Sequence, residues 1–221
     1  YKDEPFPQIA LLRGGTMNML AENLGVRGTP ESLLYQLITS HSVGAFNKTI
    51  SLQPLLVDGH IGFMFANGTS ARFLDEFYKN KTGSVGALKL IAKIVASFFL
   101  GGAYFKKIVK RELFKLKVSN QPSIKLGACS IFCSVVEKLP MGIPLFATLD
   151  RKNKFACIGI TVSEKKLVRK LPWFFISPRK KKREYLYLSC KKLSVAGENP
   201  GQIYTLDGEL YYSKNEYVNI E

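Results

Sequence analysis

A glycine followed by polar residues near the start of the chain has the composition of a phosphate-facing turn. Gly15 precedes Thr16 and Asn18, and the residues after Asn18 are mostly apolar. Glycine lets the backbone approach an anion closely, and the N–H groups at the start of a helix point toward negative charge. The alternative is an ordinary helix over 17–24, with Thr16 as its N-cap and Gly25 just after its C-terminus. Such turns are common, so the spacing alone leaves both interpretations open.

An acidic pair close to the other end of the chain is the second group with possible chemistry. Asp207, Gly208 and Glu209 lie between 203–206 and 209–213, which have the composition of β-strands. An Asp-Gly pair between two strands predicts a tight hairpin turn. The turn accounts for Asp207 and Gly208, but it does not require a glutamate after them.

The two segments, taken together and in this order, resemble the lipid kinase family of diacylglycerol and sphingosine kinases. The resemblance lies in Gly-Thr-x-Asn-x-x-Ala at 15–21 and Leu-Asp-Gly-Glu at 206–209, and it extends to the strand, glycine and helix that begin at 61–68. In that family a small nucleotide-binding domain with a Gly-Gly-Asp-Gly-Thr loop comes first. That loop is absent here, so the resemblance implies that the chain starts inside the protein and lacks activity by itself.

The resemblance implies a lipid kinase site that uses ATP and Mg²⁺. Phosphoryl transfer requires clamped phosphates, a metal and an acceptor hydroxyl held in line. By the resemblance, Gly15, Thr16, Asn18 and Glu209 belong to the nucleotide site. Asp207 would help to organise a hydrated Mg²⁺, which prefers oxygen ligands. The lipid substrate, of diacylglycerol or sphingosine type, would bind in a cleft lined by apolar residues of 63–73 and 85–105.

One departure from the family pattern concerns the catalytic base. Active relatives carry an Asp-Asp-Gly turn before an aromatic strand, and when the sequences are aligned on Phe155 those aspartates fall on Arg151 and Lys152. Neither side chain accepts a proton at neutral pH. Asp150 is the local candidate for the base, although a shift of one residue along a strand reverses the direction of a side chain. The chain is therefore either a divergent kinase or a catalytically silent lipid-binding or membrane-recruiting domain with the same fold.

Basic residues are concentrated in the middle of the chain. The net charge is +15, and residues 89–192 hold 24 Lys and Arg against 5 Asp and Glu. The runs at 106–111, 165–170 and 179–183 surround the aromatic segment 172–178, a combination that suits an anionic membrane surface. A solvated hairpin is the alternative for that segment. No nucleic-acid motif accompanies the charge, so a nucleic-acid partner is not expected.

Two further patterns bear on location. The apolar segment 85–105 is about as long as a membrane span, but Lys89 and Lys93 share one helical face, which favours an amphipathic helix. The four cysteines lack the paired spacing of a zinc site and lie in apolar runs, as expected for buried thiols in a reducing compartment. We expect a cytoplasmic protein that is peripheral at the membrane.

The order of these segments predicts an α+β, β-rich fold. We expect residues 1–40 to be a short remnant of the nucleotide-binding domain and 41–200 to form a β-sandwich-like lipid-binding domain with a few helices near 69–105. Residues 201–221 would form a hairpin and tail that return to the nucleotide cleft. Asp58 and Gly59 between two short apolar runs predict another hairpin within the second unit.

Overall fold

The computed structural model describes residues 8–14, 18–45, 49–79, 84–100, 102–119, 121–139, 144–146, 154–169, 184–198 and 201–221. Within these residues the helices are α1 (Met19–Asn23), α2 (Pro30–Ser42), α3 (Thr69–Lys79), α4 (Ser84–Phe99) and α5 (Ala103–Ile108), and residues 164–169 are also helical. The first strands are β1 (Leu55–Val57), β2 (His60–Gly62), β3 (Met64–Asn67), β4 (Glu112–Val118), β5 (Ile124–Ala128) and β6 (Ser130–Ser134). The later ones are β7 (Phe155–Ile160), β8 (Tyr185–Cys190), β9 (Leu193–Ala196), β10 (Ile203–Leu206), β11 (Glu209–Tyr212) and β12 (Val218–Ile220).

These strands form two antiparallel six-stranded sheets. The first has the order β2-β1-β12-β9-β4-β5, and the second has the order β11-β10-β3-β6-β7-β8. Between them lies a core to which each sheet contributes one face, for example Phe114, Leu116 and Ile220 from the first sheet and Phe65 and Cys157 from the second. In β12 the buried Val218 and Ile220 alternate with the exposed Asn219, as expected for a strand with one solvated face. The β-sandwich-like α+β fold predicted from the sequence is confirmed.

The second sheet is covered on its other face by helices. A second buried cluster joins Phe132 and Ile158 of that sheet to Leu90 and Ile94 of α4 and Phe105 of α5. Strands β6 and β7 are consequently buried along their whole length, which explains why β7 is continuously apolar and why β6 carries only two small serines, at its ends, among apolar residues. The helices expected near 69–105 are therefore present.

Both predicted Asp-Gly hairpins are present. Asp58 and Gly59 have φ values of 45° and 87°, and Asp207 and Gly208 have φ values of 51° and 96°. A two-residue turn with positive φ at both positions matches the right-handed twist of the strands that it joins. The strands flanking the turns pair as Val57 with His60 and as Leu206 with Glu209.

The first helix begins later than the sequence predicts. Asn18 is the N-cap of α1 and has the left-handed φ of 40°, so the helix begins at Met19. Asparagine tolerates this conformation better than most residues do, and a left-handed residue at 18 is incompatible with a helix that continues through this position. The prediction of a helix from 17 with Thr16 as N-cap is therefore wrong. Gly25, with φ of 73°, follows the helix as expected.

Helix α2 has 13 residues and begins with favourable capping residues. Thr29 accepts a hydrogen bond from the Ser32 N–H, and Pro30 occupies the first helical position, a favourable start for a helix. No residue of α2 is buried, and Leu34 and Ile38 of its apolar face are 44% and 60% exposed. The described residues therefore leave this face uncovered.

The remaining observations concern thiols and membranes. All four cysteines are free and buried, as expected. Among the described residues, no helix combines the length and the apolar character that crossing a bilayer would need.

Candidate functional site

A hollow of about 390 Å³ lies between residues 10–14 and 18–21 and the turn that contains Asp207. It is lined by residues 10–14 and 18–21 from the start of the chain, together with Phe63 and Asp207. The sheet order explains why Asp207 lies next to Phe63, because β10, which precedes the Asp207 turn, pairs with β3, which begins just after Phe63. Two of the residues singled out by the sequence, Asn18 and Asp207, thus line one cavity.

Asp207 ties the β10–β11 turn to the start of β3. Its Oδ1 accepts hydrogen bonds from the backbone N–H groups of Phe63 and Met64 at 3.1 and 2.9 Å, and its Oδ2 accepts from Phe63 at 2.9 Å. The Asp207 N–H in turn donates to the Met64 carbonyl at 2.9 Å. Partial burial of the carboxyl group raises the pKa of Asp207, and the backbone hydrogen bonds oppose this effect. We call this set of contacts the Asp207 clamp.

A tyrosine that the sequence did not indicate holds the same turn from the other side. The Tyr78 hydroxyl, in the last turn of α3, donates to the Gly208 carbonyl at 2.7 Å. Burial and the nearby charge of Glu209 raise the pKa of Tyr78. No spacing rule connects a residue of α3 with a hairpin 130 positions later, so only the fold reveals this contact.

Glu209 is exposed at the start of β11, and the lining of the hollow as described does not include it. Its carboxylate is therefore open to solvent, whereas that of Asp207 is held by backbone amides. Within the described parts of the chain, no three His, Cys, Asp or Glu side chains are grouped as metal ligands. The roles of Asp207 at a metal and of Glu209 at the nucleotide stay predictions.

Arg13 lines the hollow as a cation. It has a left-handed φ of 53°, its Nη1 donates to the Val26 carbonyl at 3.2 Å, and its Nη2 lies 3.9 Å from Oε1 of Glu22. Both contacts connect the segment before α1 with the helix and with the loop after it. The hollow therefore combines a guanidinium with the amide side chain of Asn18, two groups that can donate to phosphate oxygens.

Asn23 fixes α1 against the second sheet. Its Nδ2 donates to the carbonyls of Met19 and Lys138, both at 2.9 Å, and its Oδ1 accepts from the N–H groups of Glu137 and Lys138 at 3.0 and 2.8 Å. The side-chain amide of Asn23 thus anchors a helix of only five residues to the segment after β6. No local pattern indicates this role, because it depends on contacts more than 110 positions apart.

Several residues of the predicted site lie outside the described part of the chain. They are Gly15, Thr16, Asp150, Arg151 and Lys152. Their predicted roles, including that of Asp150 as the base, stay predictions. Of the apolar residues expected to line a lipid cleft, Leu90, Ile94 and Phe105 pack onto the second sheet as core.

The fold of this chain, a β-sandwich with one helix-covered sheet, is similar to that of solved diacylglycerol kinases. A diacylglycerol kinase from Bacillus anthracis str. Sterne shares it with a TM-score of 0.58 and 13% identity, covering 97% of this chain and 63% of that one. Two candidate diacylglycerol kinases from the same organism have TM-scores of 0.67 and 0.62 and identities of 17% and 16%. Both matches cover 97% of this chain, and they cover 65% and 66% of the two solved chains.

These comparisons confirm the predicted resemblance at the level of the fold. This chain spans a little under two thirds of the length of the solved structures that it matches. No family model matches the sequence, and no curated protein matches it either.

Proposed function

We propose that this chain forms the lipid-binding part of a kinase that transfers the γ-phosphoryl group of ATP to the hydroxyl of a diacylglycerol- or sphingosine-type lipid. The observation that carries the proposal is the hollow that Arg13 and Asn18 line together with Asp207. Polar donors from one end of the chain and a carboxylate-bearing turn from the other end supply complementary groups for phosphates and for a cation.

In this proposal the nucleotide phosphates lie at the glycine-led segment. Gly15 lets the backbone approach, Thr16 and Asn18 bond phosphate oxygens, and Arg13 adds positive charge. Mg²⁺ commonly keeps several waters and uses one or two carboxylates together with phosphate oxygens, so a small acidic set suffices. Glu209 has an exposed carboxylate and would face the nucleotide and its metal, and the Asp207 clamp would set the position of that turn near the hydrated ion. The metal would neutralise charge that develops on the transferred phosphoryl group.

A nucleotide-binding domain completes the proposed site. The chain spans only 63–66% of the solved structures that share its fold, and α2 exposes an apolar face. Leu34, Tyr35 and Ile38 are 44%, 72% and 60% exposed on that helix. A contiguous apolar patch on a surface is typical of an interface. We infer that the nucleotide-binding domain packs on α2.

The test is a kinase assay on the complete polypeptide with labelled ATP and a panel of neutral lipids dispersed in detergent. If Asp150 is the base, Asp150→Ala lowers the rate by about a hundredfold to ten-thousandfold. Glu216→Ala is the matched control, since Glu216 pairs with Lys115 on the first sheet, away from the hollow. Transfer that is unchanged in Asp150→Ala removes that residue from the mechanism. A folded protein that binds ATP but labels no lipid contradicts the kinase proposal.

The second candidate is a catalytically silent domain that binds lipid or recruits the protein to an anionic membrane. Arg151 and Lys152, at the positions of the expected aspartates, favour it. Liposome flotation distinguishes the two candidates. Salt-sensitive binding without any phosphorylated lipid supports the silent domain. Either candidate places the protein in the cytoplasm, at the membrane surface, with no nucleic-acid partner.

A further inference from the structure

Helix α4 ends in two large apolar side chains that face solvent. Phe99 is 77% exposed and Leu100 is 85% exposed. The rings of Phe99 and Phe98 meet edge to face with their centroids 5.2 Å apart, and the rings of Phe98 and Phe105 do so with centroids 5.1 Å apart. Phe105 is buried in the core between the helices and the second sheet. The exposed Phe99 is therefore connected to the buried core through Phe98.

The exposed stripe of α4 carries lysines in the middle of the helix and a large apolar residue at its end. Among the α4 residues whose exposure the structure describes, the exposed ones are Lys89, Ala92, Lys93, Ala96 and Phe99. They recur at helical spacing, so they share one face. In α5 and just after it, Ala103, Lys106, Lys107 and Lys110 are exposed with the same spacing. We call the exposed residues of these two helices, together with Leu100, the α4–α5 corner.

The charge of the α4–α5 corner has one sign. Residues 84–110 contain five lysines and neither Asp nor Glu. Lys107 pairs with Glu76 at 3.1 Å, Lys110 pairs with Glu198 at 3.3 Å, and the Lys93 ammonium lies 4.0 Å from the centre of the Tyr104 ring. For Lys89 and Lys106, the described residues provide no carboxylate at ion-pair distance, so their charge is available to an external anion.

We propose that the α4–α5 corner docks on an anionic lipid bilayer, with Phe99 and Leu100 entering the headgroup region while the lysines contact lipid phosphates. Exposed lysines beside exposed Phe and Leu supply the two kinds of group that interfacial membrane segments use, basic side chains for the headgroups and large apolar side chains for the layer below them. Long lysine side chains can reach the headgroups while the apolar residues lie deeper. A second copy of the chain is a poorer occupant, because two surfaces of the same charge repel each other.

The corner is connected to the Asp207 turn through α3. Glu76 of α3 accepts hydrogen bonds from Tyr104 and Lys107 of α5, at 3.2 and 3.1 Å. Two residues later on α3, Tyr78 bonds to Gly208 of the turn. Docking of the corner would therefore orient the turn relative to the membrane. This inference deepens the proposed function and rests on it for the lipid substrate, but the binding itself requires neither ATP nor turnover.

The experiment is flotation of the complete protein, without ATP, on vesicles of phosphatidylcholine alone and of phosphatidylcholine mixed with phosphatidylglycerol. We expect wild-type binding to the mixed vesicles to weaken as salt rises. Replacing both Phe99 and Leu100 with Ser lowers that binding by roughly tenfold or more. The matched control is Leu113→Ser with Ile124→Ser, two residues of the first sheet that are 45% and 41% exposed.

The lysines are tested separately. A lysine near an anionic surface strengthens binding by roughly fivefold, so Lys89→Gln with Lys106→Gln lowers binding to mixed vesicles by roughly twenty-five-fold and leaves binding to phosphatidylcholine unchanged. Lys191→Gln with Lys214→Gln, both exposed outside the corner, is the control. Thermal melting of each variant verifies folding. If the variant with Phe99 and Leu100 replaced by Ser has a lowered melting temperature, the variant with Lys89→Gln and Lys106→Gln still tests the proposal.

The proposal is overturned if the wild type, the serine variant and the lysine variant of the corner bind mixed vesicles equally well. It is also overturned if the control variants lose as much vesicle binding as the corner variants do. Loss of self-association in the serine variant, measured by light scattering, with vesicle binding unchanged would assign the corner to a second copy instead. A protein that floats with vesicles but phosphorylates no detergent-dispersed lipid supports this inference and contradicts the kinase proposal. A protein that phosphorylates such lipid but does not float with vesicles supports the kinase proposal and contradicts the membrane-docking inference.

Discussion

The Asp207 clamp shows how one carboxylate can hold two distant parts of the chain together. Its two oxygens accept three hydrogen bonds from the backbone of Phe63 and Met64. A cavity that would face phosphate thus has a wall whose position depends on a single side chain. The sequence indicated a turn at Asp207, but it could not indicate the partners of the carboxylate, because they are more than 140 positions away.

We expect Asp207→Asn to destabilise the protein by about 1–3 kcal/mol, since one carboxylate oxygen becomes an NH₂ group that faces backbone donors. Urea unfolding measures the change. Asp75→Asn is the control, because Asp75 forms an ion pair with the largely exposed Lys79, and such pairs contribute little. Equal stability of wild type and Asp207→Asn would show that the clamp is not a structural contact.

The buried thiols predict how stability changes at alkaline pH. Burial raises the pKa of Cys129 to about 11 and that of Cys190 to about 12, from an ordinary value of 9.0. The unfolded chain therefore loses these protons first, so stability is retained below about pH 9 and falls as pH rises toward the pKa values of the folded state. Melting temperatures measured between neutral pH and pH 11 should decline steadily above pH 9.

The same burial predicts thiol reactivity. At pH 8 a thiol with a pKa of about 11 is ionised in only about one molecule in a thousand, and the thiolate is the reactive form. We expect slow reaction of all four cysteines with a disulfide reagent in the native protein and rapid reaction in denaturant. A thiol that reacts within seconds at pH 8 in the folded protein would contradict the burial of these residues.

Among the elements, the junction of β3 and α3 depends on a glycine. Gly68 has φ of 70°, and a Cβ at this position would overlap the carbonyl oxygen of Cys129. The Thr69 N–H donates to that carbonyl at 2.8 Å, so the backbone cannot retreat without losing the hydrogen bond. The junction places α3, and with it Tyr78, at the Asp207 turn.

We expect Gly68→Ala to destabilise the fold by about 3 kcal/mol or more, because the left-handed backbone and the steric overlap both oppose a methyl group. Gly25→Ala is a matched control, since Gly25 has φ of 73° but open space around its Cβ position. It isolates the backbone cost, about 1–2 kcal/mol. Similar losses in the two variants, measured by thermal unfolding, would show that the overlap is relieved at little cost.

Elements differ in how far the sequence predicts them. The Asp-Gly hairpins at 58–59 and 207–208 were predictable because a two-residue turn has a local requirement for positive φ. The start of α1 was not, since nothing in the local sequence selects Asn18 rather than Thr16 as the residue before the first helical turn. The exposed apolar face of α2 has no local signal either, because burial depends on what packs against the helix.

At the scale of the whole molecule, the resemblance of two short motifs predicted the fold more reliably than it predicted the site. A sandwich core tolerates many apolar sequences, so 13–17% identity is compatible with one architecture. A site depends on individual side chains, and here the proximity of Asn18 and Asp207 followed from the fold, while Tyr78 and Asn23 had no signal of their own. Residues 10–14 and 18–21 line one side of the hollow, and Phe63 and Asp207 also line it.

The position of β12 has a consequence for the rate of folding. This strand lies inside the first sheet, between β1 and β9, and Val57 pairs with Ile220. The β1–β2 hairpin can form quickly from its own turn, but it joins the sheet only after a loop of more than 160 residues closes. Pairings between such distant segments slow the folding of small proteins. Refolding experiments should therefore reveal a late phase in which the sandwich closes, and until then the free edge of β1 is the segment most exposed to aggregation.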